Sequence, residues 1–168
     1  MKRLMLAAVV AAFIAPAPLA GAEEGIITYK SLAPDVAFDL ARAALQQCRK
    51  DNYQVAVVVM DRFGRPLVTL RDRFAGVLAL ELANGKAWTA VNFARNTSDL
   101  IAAIKSGDLN PATATLPKVM MMPGGVIIEA GGSLLGSIGI AGAQSGGGTA
   151  DEACIRAGIA AVRDKLDF

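Results

Sequence analysis

The sequence predicts an α+β domain, with a five-stranded, largely antiparallel sheet flanked by helices as an α/β/α sandwich in the order αββααβββα. Three observations carry this reading. Residues 53–60 form a β-branched, almost wholly apolar run that ends in Asp61-Arg62-Phe63-Gly64-Arg65, a turn-forming cluster, so a hairpin is expected. Residues 119–141 hold three short apolar runs separated by Pro123-Gly124-Gly125 and Gly131-Gly132-Ser133, the pattern of an antiparallel meander. Helical periodicities lie before, between and after these units, without the regular strand-helix-strand alternation of a parallel sheet.

In chain order, residues 35–50 place Val36, Ala37, Leu40, Ala44 and Cys48 on one helical stripe behind Pro34, which suits a first turn. Asp35 at the start and Arg49 and Lys50 at the end complement the helix dipole. The run 53–60 is apolar on both faces, as a covered central strand must be, and residues 66–71 return with Pro66 at the first position, where a missing donor does least harm. Residues 77–95 repeat apolar positions at three- and four-residue steps. Gly85 interrupts them and costs about 1 kcal/mol against alanine, so a close contact or a bend is expected there. Ser98 is a candidate cap for a short helix over 99–105 that Gly107 ends. Residues 108–118 read as a loop. The third strand of the meander alternates Ser137, Gly139 and Ala141 against Ile138 and Ile140, so something packs closely on its small face, and a helix is the simpler occupant. Thr149 and Glu152 are spaced as a capping box for a closing helix that runs to about Leu166.

The N-terminus presents Lys2 and Arg3, an apolar run over 4–14 and then Ala20-Gly21-Ala22, the order of a secretory signal peptide. Cleavage after Ala22 leaves 168 − 22 = 146 residues (23–168), one domain, in the periplasm or the medium, with no membrane span of its own. Removing Lys2 and Arg3 leaves 17 − 2 = 15 basic against 15 acidic residues, which gives no support to nucleic-acid binding. The chain has no histidine, and this excludes histidine-based hydrolytic triads and histidine-ligated metal or haem. Cys48 and Cys154 both fall on buried helical stripes. Either they form one bridge between helices or they are separate buried thiols. No acid-base or nucleophile-base constellation is visible, so the residues assign no enzymatic activity.

The order Val57-Val58-Val59-Met60-Asp61-Arg62-Phe63-Gly64, then Lys86-Ala87-Trp88-Thr89-Ala90, Pro123-Gly124-Gly125-Val126, Gly136-Ser137-Ile138-Gly139-Ile140-Ala141-Gly142 and Asp151-Glu152-Ala153-Cys154 resembles the GlcG/HbpS-type haem-binding family over residues 32–166. That resemblance implies a compact α/β/α domain forming homo-oligomers, octamers in some members. It also implies haem binding in exported members, with haem breakdown in some or delivery to a sensor or other haem-receiving partner, and similar domains are joined to cobalamin-handling enzymes. In an exported relative a threonine hydroxyl meets the iron, which makes Thr113 and Thr115 candidates here.

Met120 and Met122 are candidate thioether ligands, and on a strand they would share a face opposite to Met121, although core packing is the ordinary role of such methionines. Tyr29, Tyr53 and a free cysteine are further ligand types. Lys86, Arg95 and Lys118 could pair with haem propionates, and the ordinary role of each is a solvated charge. The competing reading is an oligomeric effector-binding or signalling accessory protein without haem. An enzyme acting on a small organic molecule is a third.

Overall fold

The computed structural model describes residue 25, residues 27–143 and residues 145–166; the expected signal segment, residues 1–22, lies outside them. Helix α1 (Pro34–Lys50) leads into strands β1 (Ala56–Asp61) and β2 (Pro66–Arg71). Helices α2 (Ala79–Asn92) and α3 (Thr97–Ser106) and a short 3-10 turn (Pro111–Thr115) follow. Strands β3 (Gly125–Ala130) and β4 (Ser133–Ala141), a second 3-10 turn (Ser145–Gly148), α4 (Thr149–Ala161) and the one-turn α5 (Arg163–Leu166) complete the chain.

Among the described residues the sheet has four antiparallel strands in the order β2-β1-β4-β3, not five. The apolar stretch expected as a fifth strand, 119–122, has no ladder partner. The Val119 and Met122 amides donate to the Leu116 and Met120 carbonyls, and the Met120 amide donates to Thr89 Oγ1 at 2.8 Å. Donors spent on local turns and a side chain cannot extend a sheet.

Two cores form, one on each face of the sheet. Val55, Val57, Val59, Ile138 and Ile140 pack with Leu40, Ala44 and Cys48 of α1 and Cys154 and Ile155 of α4. Ala56, Val58, Met60 and Ala141 pack with Ala79, Ala83 and Ala87 of α2. The small face of β4 therefore does receive a helix. A Cβ on Gly139 would stand 2.1 Å from the Ala83 carbonyl oxygen, and Ser137 Oγ donates to the Ala87 carbonyl at 2.8 Å. The contact expected at Gly85 is Met120, whose Cβ would lie 3.1 Å from a Cβ added there.

Cys48 and Cys154 are bridged, with Cα atoms 5.4 Å apart, tying α1 to α4 across the first core. Close approach of these helices rests on Gly158, where a Cβ would meet Ala44 Cβ at 2.8 Å. The β1–β2 turn forms as expected: Asp61 Oδ1 accepts from the Phe63 and Arg65 amides at 2.8 and 2.9 Å.

Three local expectations are corrected. The residue preceding α3 is Asn96, not Ser98, and Asn96 Oδ1 accepts from the Ile127 amide at 3.1 Å, holding that junction to β3. The N-cap of α4 is Gly148, not Thr149, and Glu152 Oε1 accepts from the Gly124 amide at 3.4 Å. The closing helix breaks at Val162 rather than running unbroken to Leu166. Among the described residues no helix is long and apolar enough to cross a membrane.

Candidate functional site

Helix α2 separates two cavities. Leu82 and Lys86, four residues apart, face the first, whereas Glu81, Gly85 and Trp88 face the second.

The first cavity, about 880 Å³, lies between α2, the end of β4 and the N-terminus of α4. Its floor carries a buried ion pair: Lys86 Nζ lies 2.8 Å from Asp151 Oδ2 and also donates to the Ile140 carbonyl at 2.9 Å. Asp151 Oδ1 accepts from the Ala143 amide at 3.0 Å. Burial pushes the Asp151 carboxyl above its usual range; the Lys86 charge and hydrogen bond and the Ala143 amide oppose that rise. Gly124, at φ 110°, makes room for the pair, since a Cβ there would fall 2.9 Å from both Lys86 Nζ and Asp151 Cβ. The rim is apolar and open, with Phe74, Val77 and Leu78 exposed by 76%, 93% and 61%.

The second cavity, about 720 Å³, is lined by Phe63, Trp88, Met60, Met120, Arg65 and Lys118, among others. It joins two aromatic rings, two thioethers and two cations, with Glu81 as the opposing charge. The bond from the Met120 amide to Thr89, itself buried, fixes the methionine-bearing segment against α2.

The candidate residues divide between these sites. Lys86 and Met122 line the first cavity, and Lys118 and Met120 the second, so the two methionines do not share a surface. Lys86 is not a solvated charge but a buried one, whereas Arg95 and Lys118 are exposed. Thr113 and Thr115 lie in the first 3-10 turn, away from both cavities; Thr115 Oγ1 donates to the Ala112 carbonyl at 2.7 Å. Asp151 is a site residue that the sequence reading does not single out. Its signal was its place on the stripe with Cys154, Ile155 and Gly158, where an unpaired carboxylate would be costly. Among the described residues no cluster of three or more Cys, Asp or Glu could hold a metal ion.

A single α+β domain built around two cavities of ligand size is the architecture of a small-molecule-binding domain. The family model described as haem degrading protein HbpS-like matches residues 32–160, and the chain belongs to that family. Among solved structures, a double mutant of Streptomyces reticuli HbpS is 36% identical with a TM-score of 0.75, covering 87% of this chain and 97% of that one. A PduOC:heme complex is 30% identical with a TM-score of 0.69, covering 78% of this chain and 94% of that one. The corrinoid adenosyltransferase PduO of Citrobacter freundii is 33% identical over 105 residues, 61% of this chain and 31% of its own length. The chain thus spans about a third of that relative.

Proposed function

We propose that the protein binds haem, and that the second cavity receives it. Family membership and the likeness to a domain solved with haem support the ligand. The observation that carries the placement is the meeting, in one cavity of about 720 Å³, of groups a haem requires. Met120 or Met60 supplies a thioether for the iron in a chain without histidine, Phe63 and Trp88 supply apolar ring faces, and Arg65 and Lys118 supply cations for the propionates. The first cavity fits haem less well, because Asp151 already balances the Lys86 charge and would face a propionate as a like charge. Bound haem would contribute a redox-active iron; the protein's part is to hold the macrocycle by its faces and its acids. The proposal extends to storage, sensing or delivery of haem by an exported protein. A buried disulfide accords with an oxidising compartment and with the signal-peptide pattern of residues 1–22. Assembly with copies of itself is part of the same proposal, supported by large apolar side chains open to solvent at Phe38 and Leu116. Light scattering of the mature chain tests it, and a monomeric mass refutes it.

Haemin titration of the mature protein, read by absorbance against buffer, tests the binding. A saturable Soret band is expected, with affinity lowered roughly tenfold or more in Met120→Leu or Met60→Leu. Thr113→Ala and Thr115→Ala run in parallel test the hydroxyl alternative. A featureless, non-saturating titration of folded protein would end the haem reading.

A further inference from the structure

The cavity over Lys86 and Asp151 is left without a role by haem binding in its neighbour. Its charged lining, among the described residues, is that one pair, so its net charge is zero. Lys86 Nζ donates to the Ile140 carbonyl and to Asp151, using two of the three donors an ammonium has. Each Asp151 oxygen accepts one bond, from Ala143 or Lys86, and keeps accepting capacity. Counting the described residues, the floor therefore offers one donor and one acceptor side by side. Above it the walls and rim are apolar, from Leu82 and Met122 out to Phe74, Val77 and Leu78.

We propose that this cavity is a second small-molecule site, for an uncharged alcohol with an apolar body whose hydroxyl sits on the Lys86–Asp151 pair. A hydroxyl is the head group that both accepts from the ammonium and donates to the carboxylate. A carboxylate can only accept, and would face Asp151 without a counter-charge. An ammonium can only donate, and would face Lys86. Either charge would leave water for a low-dielectric site that is already neutral. The apolar body would cover the three exposed rim side chains, a favourable burial that none of the protein's own described segments provides.

The test is an isosteric series on the mature protein near neutral pH: naphthylmethanol, naphthoate and naphthylmethylammonium, followed by fluorescence anisotropy. The alcohol should bind saturably, with each charged analogue weaker by about tenfold or more. Val77→Trp, a change at a rim position that leaves both cores alone, should remove alcohol binding by filling the mouth. Binding of either charged analogue as tight as the alcohol overturns the proposal. So does an absence of saturable alcohol binding, or an affinity unchanged by Val77→Trp.

Discussion

Lys86 of α2 and Asp151 of α4 stand 65 positions apart in the chain and 2.8 Å apart in space, with their side chains only 3% and 4% exposed. They link two helices that lie on opposite faces of the sheet. The link passes the end of β4, where the Ile140 carbonyl accepts a second bond from Lys86 and the Ala143 amide donates to Asp151. The pair is thus a polar rivet between the two cores.

Replacing Lys86 with Met should destabilise the fold by about 3 kcal/mol, since it strands a buried carboxylate. Lys86→Met with Asp151→Leu should recover most of that loss, because a packed apolar pair removes both charges together. Urea unfolding of the two variants and the parent decides it. Equal losses in the single and double variants would show that the site's shape, and not its charge balance, is what matters.

Asp151 also predicts a pH dependence. Its carboxyl is raised in the folded state, so the folded protein holds that proton more tightly than the unfolded chain. The stabilising contribution is fully present below the unfolded value of about 3.9 and is lost as pH rises through the higher folded value. The parent should therefore gain stability relative to Asp151→Asn as pH falls from neutral towards about 4. Denaturation midpoints measured across that interval provide the check, and a difference that is constant or moves the other way contradicts the assignment.

Patterning made most of the fold readable. The pattern delimits residues 66–71 as the strand that the fold contains as β2, and the small face of Ser137, Gly139 and Ala141 announces the helix that covers it. The supposed fifth strand at 119–122 failed because apolar content says nothing of where backbone donors go, and Thr89, 31 residues away, captures one of them. The stripes leave the disulfide open because a distance between helices is not a property of either stripe alone. The candidate site was less readable for a similar reason. Lys86 looks like a surface lysine until Asp151 is brought beneath it, and Phe63 and Arg65 look like turn residues until Trp88 closes on them. A charge occupying an apolar stripe was the signal available in advance, at Asp151 most clearly.

Gly139 gives a steric prediction. Its backbone is not left-handed, so alanine is acceptable to the local conformation. The obstacle is the Ala83 carbonyl, 2.1 Å from where the new methyl would sit, with the Ala87 amide nitrogen at 2.7 Å. Helix backbone cannot swing aside as a side chain can, so α2 must move off the sheet. A loss of about 1–3 kcal/mol is expected for Gly139→Ala, as for other overpacked cores. Gly132→Ala is no fair control because its φ is 72°. Gly76→Ala, with open space around it, should change stability by under about 0.5 kcal/mol. If Gly139→Ala unfolds at the parent's denaturant midpoint, the close seat of α2 on β4 is wrong.

The bridge between Cys48 and Cys154 spans 106 positions, and its effect falls mainly on the unfolded chain. Closing a loop of that size lowers the unfolded state's entropy by an amount worth about 4.7 kcal/mol. The folded state needs the link less, because α1 and α4 are already joined through Leu40, Ala44 and Ile155. The double variant Cys48→Ala with Cys154→Ala should therefore keep its secondary structure and lose about 3–5 kcal/mol. Both sulfurs are fully buried, so reductant should act slowly on the native protein and rapidly once denaturant opens the α1–α4 core. The rate of thiol appearance should accordingly rise with urea as the unfolded population rises. Rapid reduction without denaturant, at a rate indifferent to urea, would mean that α4 leaves α1 without global unfolding. Asp151, three residues before Cys154 on the same helix, would then lose its hold on Lys86 as α4 moved.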